Sequence, residues 1–282
     1  MKMAQADLTR IASNIAALNT LNSLRNINTK LSVSQLRLAT GKRVNQAADD
    51  PAGLTIALKM NARNECLKVA FSNIGDAKNM LAVGEGGLQK ITDIVTVMKA
   101  KSVQAASDTL GADERTAIAS ELTSLAAQID DIVDETTWNS DILLDGLVAK
   151  TLQTGAESGE TTTWTLAQGH KSADLGTTVA LDALDVSDAT NAALAITGCD
   201  EALATVTSSM NDVGSLVARL NVKEETVAIA QVNTEAAYSR VMNADMAYEQ
   251  VESTKFMILQ QTAVAMLAQS NLGSQSILSL FR

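Results

Sequence analysis

Proline is almost missing from this chain: Pro51 stands alone among 282 residues. With so few breakers, long helices can run uninterrupted. Aromatic residues are nearly as scarce, with two Trp, two Tyr and three Phe, which leaves little bulk for a wide core. Both shortages point to thin helical packing. Histidine occurs once, at His170, and cysteine twice, at Cys66 and Cys199. That excludes an H-E-x-x-H zinc site and leaves no Cys/His cluster with metal-ligand spacing. A Ser–His–acid arrangement and a phosphate-cradling glycine loop are missing as well. No catalytic, metal or cofactor-binding residue is assigned, and an enzyme is not expected. His170 reads as a loop residue, and the paired acids Asp49–Asp50 and Asp130–Asp131 as a helix start and a solvated helix face.

Positive charge is also in deficit. The formal net charge of −10 argues against nucleic acid as a partner, because no basic patch could drive counterion release. The opening "MKMAQADLTRIASNIAALNTL" lacks the pattern of a cleaved signal, its uncharged run being broken by Ser13, Asn14 and Asn19. The chain is expected to be cytoplasmic or to leave the cell by a route that reads no cleaved signal.

The most informative shortage is local. From Phe256 to Phe281 there is no Asp, Glu, Lys or Arg, in a protein where 19% of positions are charged. Gln260, Gln261, Thr262, Gln269, Ser270 and Asn271 make the stretch too polar for a membrane span, so no membrane insertion is expected. Its large apolar side chains are worth about 1.5–3 kcal/mol each when fully buried, while ordering the backbone costs about 1–2 kcal/mol per residue. For one molecule alone the balance is near zero. Such a segment is expected to order when other molecules complete its burial, as a polymerisation element would. The competing reading is that the two ends of the chain pair only with each other. Apolar residues outside a single stripe, among them Met257, Ile258, Val264, Ile277 and Leu278, weigh against it.

What is present is helical periodicity. Leu8, Ile11, Ile15 and Leu18 fall at helical spacing, and Leu24, Leu31 and Leu38 stand seven apart, which predicts a helix with a narrow coiled-coil-like seam. "ATGKRVNQAADDPAG" interrupts it, with Gly41 suited to a C-terminal cap and Asp50–Pro51 to the start of the next helix. A second helix is predicted from about Leu54 to Ala106 on the ladder Leu67, Phe71, Ile74, Leu81, Leu88, Val95, Ser102, weakened by Gly84, Gly86 and Gly87. A third carries Ile118, Leu122, Leu125, Ile129 and Ile132. Between Trp138 and roughly Ala189, "TTTWTLA" and "TTVALDALDV" suggest short strands and turns. A last ladder runs from Leu203 through Val227 and Tyr248 into the uncharged tail, by way of Leu259 and Met266. The expected fold is mainly α: an elongated rod of long antiparallel helices, a coiled-coil-like bundle with a small β-hairpin region in the middle of the chain.

"LATGKRVNQAADDPAGLTIA" resembles the N-terminal signature of bacterial flagellins, with Gly41, Arg43, Asn45, Asp49, Asp50 and Gly53 on the matching positions. "SRVMNADMAYEQVESTKFMILQQTAVAMLAQSNLGSQSILSLFR" resembles their C-terminal signature. The resemblance implies inner-core terminal helices over 1–40 and 247–282, a spoke linker over 41–53, and an outer-core domain over 54–246 with a β-rich segment at about 138–190. Self-assembly would fall to Leu8, Ile11, Ile15, Leu18, Leu24, Leu31 and Leu38, and to Phe256, Leu259, Val264, Met266, Leu267, Leu278, Leu280 and Phe281. It implies a minimal flagellin that forms a homopolymer, the extracellular flagellar filament, after export unfolded by the flagellar type III apparatus. An export chaperone, cap and hook-associated proteins would be its partners. A hook–filament junction protein and a secreted helical adaptor are the alternatives. Where receptor-activating flagellins resemble Q-R-V-R-E-L-A-V, this chain reads "TVMKAKSV": Val97 stands for the key Arg and Lys101 for Leu, with Glu121 at the third contact. Weak or no activation of the vertebrate innate receptor is implied. Paired as in the family, Cys66 and Cys199 would stand roughly 30–35 Å apart, too far for a disulfide.

Overall fold

A computed structural model describes residues 14–146, 148–166 and 168–279, with backbone alone for 273–279. Of the residues expected to carry assembly, Leu8, Ile11, Leu280 and Phe281 lie outside the described residues, as does the side chain of Leu278. The elements in order are α1 (Ile15–Thr40), α2 (Pro51–Ala105), α3 (Ala112–Glu135), β1 (Thr137–Trp138), β2 (Asp141–Ile142), β3 (Ala149–Gln153), β4 (Thr161–Thr165), a 3₁₀ turn (Leu181–Ala183), α4 (Ala189–Met242) and α5 (Met246–Ser279). The fold is mainly α, with two antiparallel hairpins, β1–β2 and β3–β4, in the middle of the chain. It divides into two compact units: the described residues up to Ala62 with those from Thr234, and Arg63–Asn233.

The Arg63–Asn233 unit holds the larger core. On α2, Leu67, Ala70, Ile74, Ala77, Leu81, Leu88, Ile91, Val95 and Met98 are buried, at steps of three and four that keep one stripe facing its neighbours. Ala192, Ala195, Cys199, Ala202, Val206, Val213, Leu216 and Leu220 do the same on α4, and Ile118, Leu122, Ala126, Ile129 and Val133 on α3. Phe71, expected on this ladder, is instead exposed, and Ala70 takes the inward position. Alanine lets the helices approach where an aromatic ring would hold them apart.

The glycines of α2 have a use that their helix propensity hides. They remain inside the helix, and the hairpin region rests on two of them, Gly84 and Gly87. A Cβ on Gly84 would meet the Trp164 ring at 3.7 Å, whereas one on Gly87 would lie 2.7 Å from Thr136 Oγ1 and 2.8 Å from a Leu144 methyl. Strand β4 alternates accordingly, with Thr162 and Trp164 inward and Thr161, Thr163 and Thr165 outward.

Two expectations for the middle fail. "TTVALDALDV" forms no strand: Leu181 and Val186 plug into the core from a loop that has only the 3₁₀ turn. His170 does sit in a loop, but it is fully buried, and its Nε2 lies 2.9 Å from Ser209 Oγ. Asp130, expected with Asp131 on a solvated face, is half-buried and accepts from Ser172 N at 2.7 Å and Ser172 Oγ at 2.9 Å, while Asp131 is exposed as expected. Glu201 fastens the same loop through the amides and hydroxyls of Thr177 and Thr178. Those hydroxyls, Thr177's first, hold its pKa down at about 2. Both cysteines are free, Cys66 exposed and Cys199 buried.

Burial pushes the His170 pKa below its ordinary 6.5, because a charged imidazole there loses its water. The folded chain therefore binds fewer protons than the unfolded one just below pH 6.5, and stability falls as the pH drops through that window. Thermal unfolding of the wild-type chain should show a melting temperature that declines between pH 6.5 and 5. In the His170→Gln variant that part of the decline should be flattened.

Candidate assembly interface

In the other unit α1 and α5 lie antiparallel, tied at three levels. Asn14 caps α1 by accepting from Ala17 N at 3.0 Å and donates Nδ2 to the Ser270 carbonyl at 3.0 Å. Gln260 Nε2 donates to Asn28 Oδ1 at 2.7 Å. Near the other end the Glu249 carboxylate accepts from Ser34 Oγ at 2.9 Å and pairs with Arg37 at 3.1 Å, while Ser34 also reaches the Glu249 carbonyl at 3.0 Å. Glu249 is 6% exposed, so its charge is tolerated only with these partners in place.

The seam between the helices is narrow. On α1, Leu31 and Ser34 are buried, with Leu24, Ile27 and Leu38 half-buried at the same spacing. On α5 the covered side is Glu249, Ser253, Phe256, Gln260, Ala263 and Leu267. Small and polar groups therefore make up much of it. Outside the seam, Ile15 and Leu18 on α1 and Ile258, Leu259, Val264, Met266 and Leu272 on α5 face solvent, Ile258 at 58% and Met266 at 59%. Large apolar side chains spread around a helix are ordinarily covered by more than one neighbour; among the described residues α1 covers a single stripe of α5. The residues expected to carry assembly thus fall into two groups. Leu24, Leu31, Leu38, Phe256 and Leu267 serve the pair within the chain, and Ile15, Leu18, Leu259, Val264 and Met266 are left bare.

The stretch from Gly41 to Gly53 is a compact knot. Gly41 adopts φ +68°, the left-handed cap, and its N–H reaches the Arg37 carbonyl at 2.8 Å. The chain then bridges to the end of α4: Arg43 N donates to the Met242 carbonyl at 2.6 Å and Ala244 N to the Gly41 carbonyl at 2.9 Å. The Arg43 guanidinium donates to the Val241 carbonyl at 2.8 and 3.2 Å and lies 3.6 Å from Asp50. Asn45 Nδ2 closes a turn onto the Lys42 carbonyl at 2.9 Å. The Asp49 carboxylate accepts from the amides of Asn45 and Gln46, both at 3.0 Å, which lowers its pKa, the Asn45 amide contributing most. Asp50 receives the Gly53 amide at 2.9 Å, and any Cβ on Gly53 would stand 2.3 Å from that carboxylate. Beneath lies a small separate core of Val44, Ala57 and Met242 with Leu54, Tyr238 and Val241.

Val97, Lys101 and Glu121 belong to the other unit. Val97 is exposed, and Lys101 Nζ holds the Glu121 carboxylate at 2.7 Å.

Residues 11–149 match the bacterial flagellin N-terminal helical region and residues 196–281 the C-terminal helical region. The chain belongs to the bacterial flagellin family. It is 36% identical to the flagellin of Halalkalibacterium halodurans over 93% of its own length and 97% of that protein. It is 32% identical to the flagellar filament 33 kDa core protein of Treponema phagedenis, over 96% and 99%. A protein of Vibrio parahaemolyticus described as flagellar hook-associated shares the fold, with a TM-score of 0.60 at 16% identity over 69% of this chain and all of that one. Flagellins are structural proteins and not enzymes; this chain is accordingly a structural subunit of the flagellar filament, polymerising with copies of itself and serving motility. Among the described residues no helix is long and apolar enough to cross a membrane.

Two features of the site escaped the sequence reading. The apolar ladder predicts one helix running from α4 into α5, but the helix breaks at Asn243–Asp245, where Asp245 Oδ1 accepts from Ala247 N at 3.0 Å and Tyr248 N at 3.1 Å. The aspartate two residues before Ala247, a capping residue within a helical run, was the available signal. The Ser34–Glu249–Arg37 cluster was missed because its polar members occupy seam positions.

Glu249→Ala removes the carboxylate that pairs with Arg37 and leaves Ser34 only the backbone carbonyl at 249, a loss of about 1–3 kcal/mol for a buried hydrogen-bonded group. Calorimetry of assembled filaments should show a lower melting temperature for this variant. Glu249→Gln, which keeps an oxygen for Ser34, should fall less.

Proposed function

We propose that the α1–α5 pair is the inner layer of the filament, and that the bare face of α5 is covered there by the same pair in neighbouring copies. The observation that carries this is the exposure of Ile258, Leu259, Val264 and Met266 on a segment that holds no charge from Phe256 onward. On this reading 1–40 and 247–282 form the inner core, and 41–53 is the spoke that fastens it to the end of α4. The segment 54–246 is the outer core, its hairpin segment able to change register between protofilament states. The chain travels unfolded through the flagellar type III apparatus with an export chaperone, and meets cap and hook-associated proteins at the ends of the filament. Ile258→Glu and Val264→Glu substitute positions already in water, so each should change the stability of the isolated chain by no more than about 0.5 kcal/mol. Both should nevertheless abolish filaments in electron micrographs. Filaments of normal length from either variant would refute the reading. Failure of the unmodified protein to grow unaided would point to a junction protein, and oligomers of fixed size to an adaptor.

The outer unit carries a second proposal, weak activation of the vertebrate innate receptor. Val97 offers no charge where the activating members carry Arg, and Lys101 occupies the carboxylate of Glu121. A reporter assay should record little response to the wild-type chain and a gain with V97R/K101L.

A further inference from the structure

Hairpin β3–β4 has an open groove on each side, and the two grooves differ in charge. On the β3 side, where Asn73 Nδ2 approaches the Gln153 carbonyl at 3.4 Å, α2 and the hairpin turn enclose about 450 Å³ lined by Glu65, Cys66, Val69, Ala70 and Glu157. Glu65 pairs with Lys68 on its own helix at 2.7 Å. The turn adds Glu157 and Glu160, neither with a cationic partner among the described residues, so the groove keeps an acidic excess. On the β4 side, Thr162 and α4 border a groove with Ala218, Arg219, Val222, Lys223 and Thr226. Neither Arg219 nor Lys223 has a carboxylate partner among the described residues. Val222 stands between them 65% exposed, and Val69 in the acidic groove is 60% exposed.

We infer that these two surfaces are halves of one contact between copies of the chain. The Arg219–Val222–Lys223 face of one copy sits in the Glu65–Val69–Glu157 groove of the next. One molecule cannot close the contact on itself, because the two halves flank opposite edges of the same hairpin. A partner carrying the complementary half is required, and every copy of this chain carries it. Each copy also keeps one half free, so the contact is head-to-tail, the kind that can propagate along a filament. Apolar Val222 and Val69 supply the centre, and the charges around them set the register and disfavour the reversed pairing. The inference rests on the filament reading and assigns a contact of the outer unit, separate from the terminal helices.

The natural thiol of Cys66 lies in the acidic groove, so V222C places a second thiol in the mating face. Mild oxidation of V222C filaments should give a ladder of covalent oligomers on nonreducing gels, and V222C/C66S should give none. R219E/K223E should raise the critical concentration for assembly at least tenfold, and adding E65K/E157K should bring it back toward the wild-type value. Filaments without a ladder, together with an unchanged critical concentration for R219E/K223E, would overturn this contact and leave the filament reading standing. A wild-type chain that forms no polymer would sink both.

Discussion

A helix needs water or cover on each of its sides, and beyond Lys255 α5 meets water with amides and hydroxyls such as Gln261, Thr262 and Gln269 set among bare apolar side chains. No residue from Phe256 onward carries a side-chain charge up to Phe281, and among the described residues α1 is the helix packed along α5. The remaining faces stay wet and apolar. This imbalance is tolerable in a subunit whose neighbours are copies of itself, and it organises the rest of the terminal unit. The seam is thin, with Ser253, Ala263 and Ser34 at its centre; on the proposed reading it need only set the register of two helices whose other faces neighbouring copies complete.

Register is where the polar residues act. A narrow stripe of leucines fits its partner almost equally well one turn up or down. The Glu249–Ser34–Arg37 cluster fits in one position only, since a slip would leave a buried carboxylate without partners. The knot from Gly41 to Gly53 performs a related task at the junction. Its hydrogen bonds to the Val241 and Met242 carbonyls fasten the start of α2 to the end of α4, at the point where the chain turns into α5.

Much of this was legible beforehand, and for definable reasons. Helices with leucine at intervals of seven announce themselves, as does an Asp–Pro pair at the start of one. Gly41 and Asp50 were placed correctly because caps are local. The misreadings share a different cause. Phe71 looked like core by hydrophobicity, but close helix approach selected Ala70. By type His170 reads as a loop residue and Asp130 as part of a solvated helix face, whereas residues distant in the chain, Ser209 and Ser172, hydrogen-bond the buried imidazole and the half-buried carboxylate. The division of the assembly residues into seam and bare face was equally out of reach, because periodicity shows that a stripe exists and is silent on which neighbour covers it. The break at Asn243–Asp245 was hidden by an apolar ladder that keeps its phase across it.

The bare patch at Gly84 and Gly87 bears on how the molecule responds to force. Ridges formed by side chains normally lock a ribbon against a helix, as teeth hold a rack. Where α2 is stripped to its backbone there are no teeth, and the hairpin region meets a smooth track. Leu143, Leu144 and Trp164 lie over that track, and the bond from Asn73 Nδ2 to the Gln153 carbonyl adds a polar tie between α2 and β3.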